Sequence, residues 1–416
     1  MTQQRGRLVA LLAAVLVVVG GLTAASTATG NTPVRRSSAH VIHKSGDAAA
    51  LANRGMWIWY VSRSSGGTVS GIVATAHKYG VSTVIIKSSD GPTMWSQFNS
   101  TLVRELHASG LHVCAWQYVY GNHPIYEADV GAEAVQDGAD CLVIDAEGEY
   151  TGKYVAAQSY ITQLRKLIGQ SYPVALAGFP YIDYHPGFPY SVFLGPGGAQ
   201  YNTPQMYWMD IGTSVNAVYA HTYAYNSVYQ RQIDPLGQVW QNPPPGQIIR
   251  FRQLSRTYGA AGVSWWDWQQ ASPSGWGSIS VGAGDLVGVT PTTATPILNL
   301  GSVGDVVVWA QEHLASAGYT TAIDGDYGPS TQSAIESFQT AQGLTADGIV
   351  GPATWAALLH YAPANVVWTA HSGATVASAA AVRSDRTGHR VLVLAVPKSA
   401  HARAVRDELA GVGGAG

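Results

Sequence analysis

Two carboxylates end the apolar segment 141–144 and are well suited to acid–base chemistry. Asp145 and Glu147 occupy positions i and i+2 directly after it. In a β-strand this spacing places both side chains on one face, with Cα atoms about 6.6 Å apart. Two ionised carboxylates that close repel each other, which raises the pKa of one and keeps it available as a general acid. Cleavage of a glycosidic bond requires such a pair.

The same carboxylates have a structural alternative, which is charge pairing with a cation of the fold. Lys87 ends another apolar segment and is an available partner. Charged residues make up only 12% of the chain, about half the usual share, so two carboxylates at one strand end stand out. We therefore favour catalysis over charge pairing.

The elements that must position these carboxylates form a repeating pattern. Short apolar strands alternate with helical segments over residues 50–270, which is typical of parallel strands joined by crossover helices. Eight such units predict an α/β fold, a (β/α)8 TIM barrel. A doubly wound sheet is the alternative, but it would usually carry a Gly-rich phosphate loop after its first strand, and residues 57–63 contain none. The predicted strands are 56–60, 83–87, 112–118, 142–147, 174–179, 205–209, 237–241 and 262–268.

Other polar and aromatic residues fall at the ends of these predicted strands. Catalytic groups of TIM barrels lie at the carboxyl ends of strands, so residues there are candidates for the site. Trp266 also has a structural interpretation, because large rings fill barrel interiors and pack against helices. The candidates are Gln117, Gln205, Tyr207, Asp210, Trp266 and Asp267.

Composition limits the partners and cofactors. A formal net charge of −2 leaves no electrostatic footprint for nucleic acid. The 13 Trp and 22 Tyr exceed what a core needs and suit flat ligands such as sugar rings. No His, Cys and Asp spacing is typical of a metal site, so we predict no metal and no cofactor.

The amino-terminal segment predicts export. Arg5 and Arg7 precede an apolar run, and small residues follow at positions 23–26, which is the order of a secretory signal peptide over residues 1–25. We expect a secreted protein, extracellular or associated with the cell wall, with no membrane attachment after cleavage. In an exported chain, Cys114 and Cys141 are either one disulfide or two buried thiols.

A second, smaller domain follows the barrel. Residues 271–298 are rich in Gly, Ser, Thr and Pro and predict a linker. Beyond them the pattern D-G-x-x-G-P-x-T occurs twice, at 324–331 and at 347–354. In each copy Asp-Gly forms a turn, Gly suits an N-cap and Pro suits the first helical position. With the helical segment 306–317, this predicts a small all-α three-helix domain.

Residues 299–360 resemble the peptidoglycan-binding domain found on many bacterial cell-wall hydrolases. The resemblance lies in both repeat copies and in the pairs Gly318-Tyr319, Phe338-Gln339 and Gly343-Leu344. It implies a noncatalytic module that holds the protein against bacterial cell-wall peptidoglycan or a related glycan. We expect a monomer, and residues 361–416 form a tail to which no role is assigned.

The segment 140–147 resembles the fourth strand of chitinase-like TIM-barrel glycosidases, D-x-x-D-x-D-x-E. Asp140, Asp145 and Glu147 occupy three acidic positions, and Val143 replaces the fourth. The D-x-E ending is also similar to bacterial and phage muramidases, although the acid expected on their first strand is absent here.

The chitinase resemblance implies a role for several residues. Glu147 would protonate the leaving oxygen, and Asp145 would orient the acetamido group of the substrate as an internal nucleophile. Tyr207 and Asp210, with Gln205, would hold the N-acetyl group, and Trp266 would form the floor of the sugar site. Our hypothesis is a glycoside hydrolase acting on an N-acetylated wall glycan. The alternative is a peptidoglycan-binding protein with an inactive barrel; a wall amidase or peptidase has less support, because no Cys/His nucleophile pair is apparent.

Overall fold

A parallel sheet forms the centre of the larger domain. The structure, a computed structural model, describes residues 45–370, 381–384 and 390–396. The strands of this sheet are β1 (Arg54–Ile58), β2 (Thr83–Asp90), β3 (Thr93–Met94), β4 (His112–Val119), β5 (Cys141–Ala146), β6 (Val174–Ala177), β7 (Tyr201–Asn202), β8 (Gln232–Ile233), β9 (Leu236–Gln238) and β10 (Val263–Trp266).

The sheet closes on itself. Its order is β8-β7-β6-β5-β4-β2-β1-β10-β9, with β3 antiparallel beside β2. The two ends of that order, β8 and β9, are consecutive in the chain and are separated only by Asp234 and Pro235. Gln205, just after β7, also forms a parallel bridge with Leu236. With β8 and β9 as two parts of one strand, the barrel has eight strands, and the predicted (β/α)8 barrel is confirmed.

Helices surround the barrel and are fixed at their ends by local hydrogen bonds. For example, the Thr68 hydroxyl accepts from the Gly71 N–H at the start of α1, and Gly80 ends this helix with a left-handed φ of 63°. The helices of this layer are α1 (Val69–Tyr79), α2 (Ser100–Ala108), α3 (Pro124–Gln136), α4 (Tyr154–Ile168), α5 (Tyr190–Phe193), α6 (Trp208–Ile211), α7 (Val215–Asn226), α8 (Pro245–Thr257) and α9 (Pro273–Ser280).

The barrel strands separate two apolar cores. The larger one lies between strands and helices. The smaller one fills the barrel interior and contains Trp57, Ile85, Cys114, Trp116, Cys141, Val143, Ala175, Ala177 and Leu236. The two cysteines form a disulfide inside the barrel between neighbouring strands β4 and β5, which decides the pairing that the sequence left open.

The sixth barrel strand differs from its predicted position. We predicted a strand over 205–209, whereas the strand is Tyr201–Asn202, Gln205 contributes a single bridge, and Trp208–Ile211 is helix α6. Pro204 has no N–H to donate to the sheet ladder, so regular pairing ends before it.

The predicted linker contains a helix of the barrel domain. Helix α9 lies within residues 271–298, and its Trp276 and Ile279 are buried. Trp276 stacks on Tyr79 of α1 and meets Trp268 edge-on. The prediction of a linker over residues 271–298 is therefore wrong for α9; Ser272 caps this helix and Pro273 occupies its first position.

The carboxyl-terminal helical domain is confirmed and consists of α10 (Asp305–Ser316), α11 (Pro329–Ala341) and α12 (Pro352–Leu358). Two equivalent glutamines explain why the same residues recur in both copies of the repeat. The Gln311 amide bonds to Asp324, Gly325 and Thr331 of the first copy. The Gln339 amide bonds to Asp347, Gly348 and Thr354 of the second. Each buried glutamine thus ties one Asp-Gly turn to the helix that follows it.

The helical domain packs directly on the barrel through Asp305, which is 0% exposed. Its Oδ1 accepts from the hydroxyls of Tyr154 (2.9 Å) and Ser191 (2.8 Å). Its Oδ2 accepts from the Tyr229 hydroxyl (2.7 Å) and the Ser191 N–H (2.8 Å). Burial raises the pKa of Asp305 to about 6 while these donors lower it, so the carboxylate is charged at neutral pH. The Trp309 indole N–H also donates to the Val228 carbonyl at 2.7 Å.

Part of the tail extends this contact. Strand β11 (Asn365–Ala370) pairs parallel with β13 (Arg390–Val396), which pairs antiparallel with β12 (Ala381–Ser384). Trp368 of β11 packs on Tyr154, with ring centroids 4.4 Å apart. The backbone N–H of Trp368 donates to the Gln158 side chain.

Two further findings concern export and membranes. The predicted signal peptide, residues 1–25, lies outside the described residues. Among the residues that are described, no helix has both the length and the apolar character needed to cross a lipid bilayer.

The Asp305 contact yields a first prediction. Asp305→Ala leaves the buried donors of Tyr154, Ser191 and Tyr229 without an acceptor, so we expect a loss of about 3 kcal/mol in the free energy of unfolding. Denaturant titration of the full chain measures it. The control is Asp285→Ala, an exposed residue paired with Arg256, which should change stability little. Equal stability of the two variants would contradict the role of Asp305.

Candidate active site

Strand β5 delivers both predicted carboxylates to the carboxyl end of the barrel. Side chains alternate along the strand, so Cys141, Val143 and Asp145 all point into the interior. Glu147 follows β5 and is partly exposed, whereas Asp145 is only 6% exposed. Asp140 precedes the strand, at its opposite end, where it accepts from the Val113 N–H at 2.8 Å.

Asp145 is held by donors from two other strands of the barrel wall. The Trp116 indole N–H donates to Oδ2 at 2.8 Å. The Gln205 amide N–H donates to Oδ1 at 3.1 Å. Burial, and next the charge of Glu147, raise the pKa of Asp145 well above its ordinary value, while Lys87 and the Trp116 hydrogen bond lower it.

Glu147 shares a hydrogen-bond donor with Asp145. The same Gln205 nitrogen donates to Glu147 Oε1 at 2.9 Å. Burial raises the pKa of Glu147, Glu149 raises it further, and the Gln205 hydrogen bond opposes the shift. Two neighbouring carboxyls whose pKa values are both raised keep a proton between them at higher pH than isolated acids do.

Lys87 balances the charge of this pair without bonding to it. Its side chain is buried, with Nζ 4.3 Å from the centroid of the Trp116 ring. Within the described residues its ion-pair partner is Asp90, at 3.9 Å, rather than Asp145 or Glu147. Burial lowers the pKa of Lys87, and Asp145 is the largest influence that raises it. Asp145 and Glu147 therefore do not have the direct Lys87 ion pair that the structural alternative requires.

Four tryptophan rings pack against one another beside the carboxylates, two of them in the barrel interior and two at its mouth. Trp266 was predicted from the eighth strand. Its ring centroid lies 4.9 Å from that of Trp116, with the two planes at right angles, and 5.8 Å from that of Trp57. Trp59 contacts both Trp116 and Trp266 and is 38% exposed. The rings form a rigid apolar wall with an exposed edge, a surface that suits a sugar ring.

The other predicted residues of the sixth and eighth strands lie at different depths. Tyr207 packs against the interior cluster, and burial, followed by Asp145 and Glu147, raises its pKa. Asp267 is 1% exposed, and burial raises its pKa to about 6. Asp210 is exposed on α6, where the Gln241 amide is 3.5 Å away. The structure thus brings Gln205 and Tyr207 to the carboxylates and leaves Asp210 on the rim.

Gln117 does not face the site and is a correction to the predicted set. It is 0% exposed and lies on the outer face of β4, opposite to Trp116. Its amide donates to the carbonyls of Gly91 and Glu127 and accepts from the Tyr160 hydroxyl at 2.8 Å. These partners satisfy both the donor and the acceptor of the amide, in the layer between the barrel and its helices.

Sequence reasoning missed two residues of the site. Trp116 stands next to Gln117, the residue that we predicted instead, and because side chains alternate along a strand the two face opposite sides of β4. Glu149 follows the D-x-E motif by two residues, and its carboxylate accepts from the Tyr118 hydroxyl at 2.9 Å. As for metals, no group of three or more His, Cys, Asp or Glu side chains in the described part of the chain is arranged to hold an ion.

Comparison with known proteins identifies the smaller domain. Residues 303–358 match the family described as a putative peptidoglycan binding domain. The domain resemblance predicted from the repeat is therefore confirmed, and the chain carries such a domain after its barrel.

Individual relatives match only parts of the chain. The zinc D-Ala-D-Ala carboxypeptidase of Streptomyces albus G is 42% identical over 88 residues, 20% of this chain and 34% of that protein, so the chain spans about a third of its length. A peptidoglycan-binding protein from Clostridioides difficile, solved with glutamine hydroxamate, is 44% identical over 15% of this chain and 40% of that one, with a TM-score of 0.15. A chitinase from Chromobacterium violaceum aligns with 54% of this chain and 97% of its own at 10% identity and a TM-score of 0.37.

The hydrogen bonds of Asp145 give a second prediction. Trp116→Phe removes the N–H that lowers the pKa of Asp145, so that pKa should rise further. Carboxyl carbon NMR during a pH titration of aspartate-labelled protein measures it. The control is Trp309→Phe, which removes an indole N–H that donates to the Val228 carbonyl, in the contact between the two domains. If the pKa of Asp145 is the same in Trp116→Phe as in wild type, this hydrogen bond does not stabilise the ionised form.

Proposed function

We propose that this protein is a secreted glycoside hydrolase of the cell wall, that it cleaves an N-acetylated glycan such as peptidoglycan, and that its carboxyl-terminal domain targets it there. The observation that carries the proposal is the carboxyl pair of Asp145 and Glu147, joined by the Gln205 amide at the mouth of the barrel.

The geometry favours Glu147 as the general acid. It is the more exposed of the two carboxyls, so it can reach a bound glycan, and its raised pKa extends the pH range over which it has a proton to give to the leaving oxygen. Asp145 is fixed by Trp116 and Gln205 and lies deeper. In this role it orients the acetamido group of the substrate. The acetamido oxygen attacks the anomeric carbon as the glycosidic bond breaks, and water then opens the resulting ring and gives a proton to the ionised Glu147.

The tryptophan wall and Tyr207 support a saccharide substrate. Trp59 and Trp266 present ring surface beside the carboxylates, and Tyr207 brings a hydroxyl towards the same charges. Trp266, Tyr207, Gln205 and Asp267 remain our proposed substrate-binding residues, with Asp210 at the rim. We propose that the chain acts as a monomer and without a cofactor.

A second candidate function is a wall-binding protein whose barrel is inactive. It is favoured by Val143, which is fully buried in the barrel interior where the remaining acid of the chitinase-like motif would stand. In this second function the barrel binds glycan but does not cleave it.

Replacing the general acid tests the two functions. Glu147→Gln keeps the shape of the side chain and removes the transferable proton, so hydrolysis of purified walls should fall by about 10²- to 10⁴-fold. Wild-type activity should also decline as pH rises through the raised pKa of Glu147. Release of soluble wall fragments is the measurement, and Glu133→Gln, on the exposed side of α3, is the control.

The outcomes separate the readings. An active wild type with a fully active Glu147→Gln variant would refute the assignment of the acid. A wild type that binds wall glycan and releases no fragment would establish the inactive-barrel function instead.

Wall binding is a separate prediction. The full chain should co-sediment with insoluble peptidoglycan, and binding should persist at moderate salt because the net charge is only −2. Protein that stays in the supernatant at low salt would exclude the targeting role.

A further inference from the structure

A second aromatic group lies beside the tryptophan wall and borders an open cavity. Tyr60 stacks on Trp59, with centroids 5.7 Å apart and planes at 2°, and on Trp95 at 5.5 Å. The cavity is lined by Tyr60, Val61, Ser62, Gly67, Trp95, Ser96 and Gln97. These residues come from the loops after β1 and around β3, at the same end of the barrel as Asp145.

The cavity is continuous with the candidate active site. Trp59 contacts the Trp116 ring, centroids 6.0 Å apart, and Trp116 donates to Asp145. Rings therefore run without interruption from the carboxylates to Trp95. A glycan strand bound at Glu147 can extend along this line into the cavity.

Gln97 makes the cavity rigid. Its amide donates to the carbonyls of Trp59 (2.7 Å) and Lys87 (2.8 Å) and accepts from the Val61 N–H (3.0 Å). One side chain from the segment after β3 thus joins the loop after β1 to strand β2. A preformed site of this kind loses little conformational entropy when it binds a ligand.

Three polar side chains in or beside the cavity have no hydrogen-bond or ion-pair partner within the described chain. The Ser62 and Ser96 hydroxyls are exposed and form no hydrogen bond with the described residues. The Arg63 guanidinium lies 4.6 Å from the Tyr60 ring centroid, and no carboxylate of the described ranges pairs with it. Guanidinium is the preferred partner of carboxylates, and hydroxyls beside rings suit the hydroxyls and apolar faces of a sugar.

We infer that this cavity is an outer subsite for a saccharide unit that carries a carboxylate, on the same glycan whose bond is cleaved at Glu147. The inference rests on the proposed function and adds to it the class of unit bound: an acidic sugar packs against Tyr60 and Trp95 while its carboxylate meets Arg63. Neutral glycans use the rings alone.

Binding by a chain that cannot turn over substrate tests the subsite. In the Glu147→Gln background, calorimetry compares two probes: a neutral hexamer of N-acetylglucosamine, and a peptide-free hexasaccharide in which N-acetylglucosamine alternates with N-acetylmuramic acid, whose lactyl groups supply carboxylates. Trp95→Ala should weaken both probes by about tenfold. Arg63→Gln should weaken only the acidic probe, by about five- to tenfold.

Two further variants control for folding and location. Trp95→Phe keeps a ring and should retain most of the affinity. Tyr79→Ala removes a stacked ring from the opposite end of the barrel, where Tyr79 adjoins Arg54 at the start of β1, and should leave both affinities unchanged.

Each result decides the inference separately from the proposed function. Unchanged affinity of both probes in Trp95→Ala and Arg63→Gln would overturn the subsite even if wild type cleaves walls through Glu147. An equal loss of both probes in Arg63→Gln would overturn the acidic class. A wild type that cleaves neither probe nor walls refutes the proposed function, while the Trp95 and Arg63 affinities still show whether the cavity binds acidic sugar.

Discussion

Burial of two carboxylates at one end of the barrel is the constraint on which the rest of the site depends. An ionised carboxylate taken from water is strongly destabilising unless donors or a counter-charge replace the lost hydration. Here the replacements come from separate strands: Trp116 from β4, Gln205 after β7, and Lys87 from β2. Because these residues are far apart in sequence, only the closed barrel brings them to Asp145. Burial raises the pKa values of the pair, whereas these donors and Lys87 lower them, so the groups that stabilise the ionised carboxylates also limit the shift that acid catalysis uses.

A second buried carboxylate organises the molecule at a larger scale. Asp305 begins the first helix of the peptidoglycan-binding domain, and all four hydrogen bonds of its carboxylate come from barrel residues. Trp309 and, from the tail, Trp368 add packing around it. A Pro-rich segment between domains commonly implies loose tethering. In this protein the domains share a buried interface, so the module that matches wall-binding domains has a fixed orientation relative to the barrel mouth.

The aromatic residues divide into packed and accessible sets with different consequences. Trp57 and Trp265 are almost fully buried, so their rings contribute chiefly to packing. Trp59, Tyr60 and Trp95 keep exposed edges while each is held by neighbouring rings. Rings fixed in this way present a prepared surface to a flat ligand. The high aromatic content of the sequence is thus explained partly by the core and partly by the proposed glycan path.

The sequence by itself determined the barrel, the position of Asp145 and Glu147 at a strand end, and the helical domain, because apolar periodicity and turn residues are local properties. It did not determine which face of β4 lines the interior. That strand is apolar on both faces, so the sequence prediction placed Gln117 in the site, whereas barrel closure turns Trp116 inward and Gln117 against the helices. The Gln205 bridge and the Asp305 contact join residues 58 to 151 positions apart. Such contacts depend on how the elements pack, which local sequence patterns do not encode.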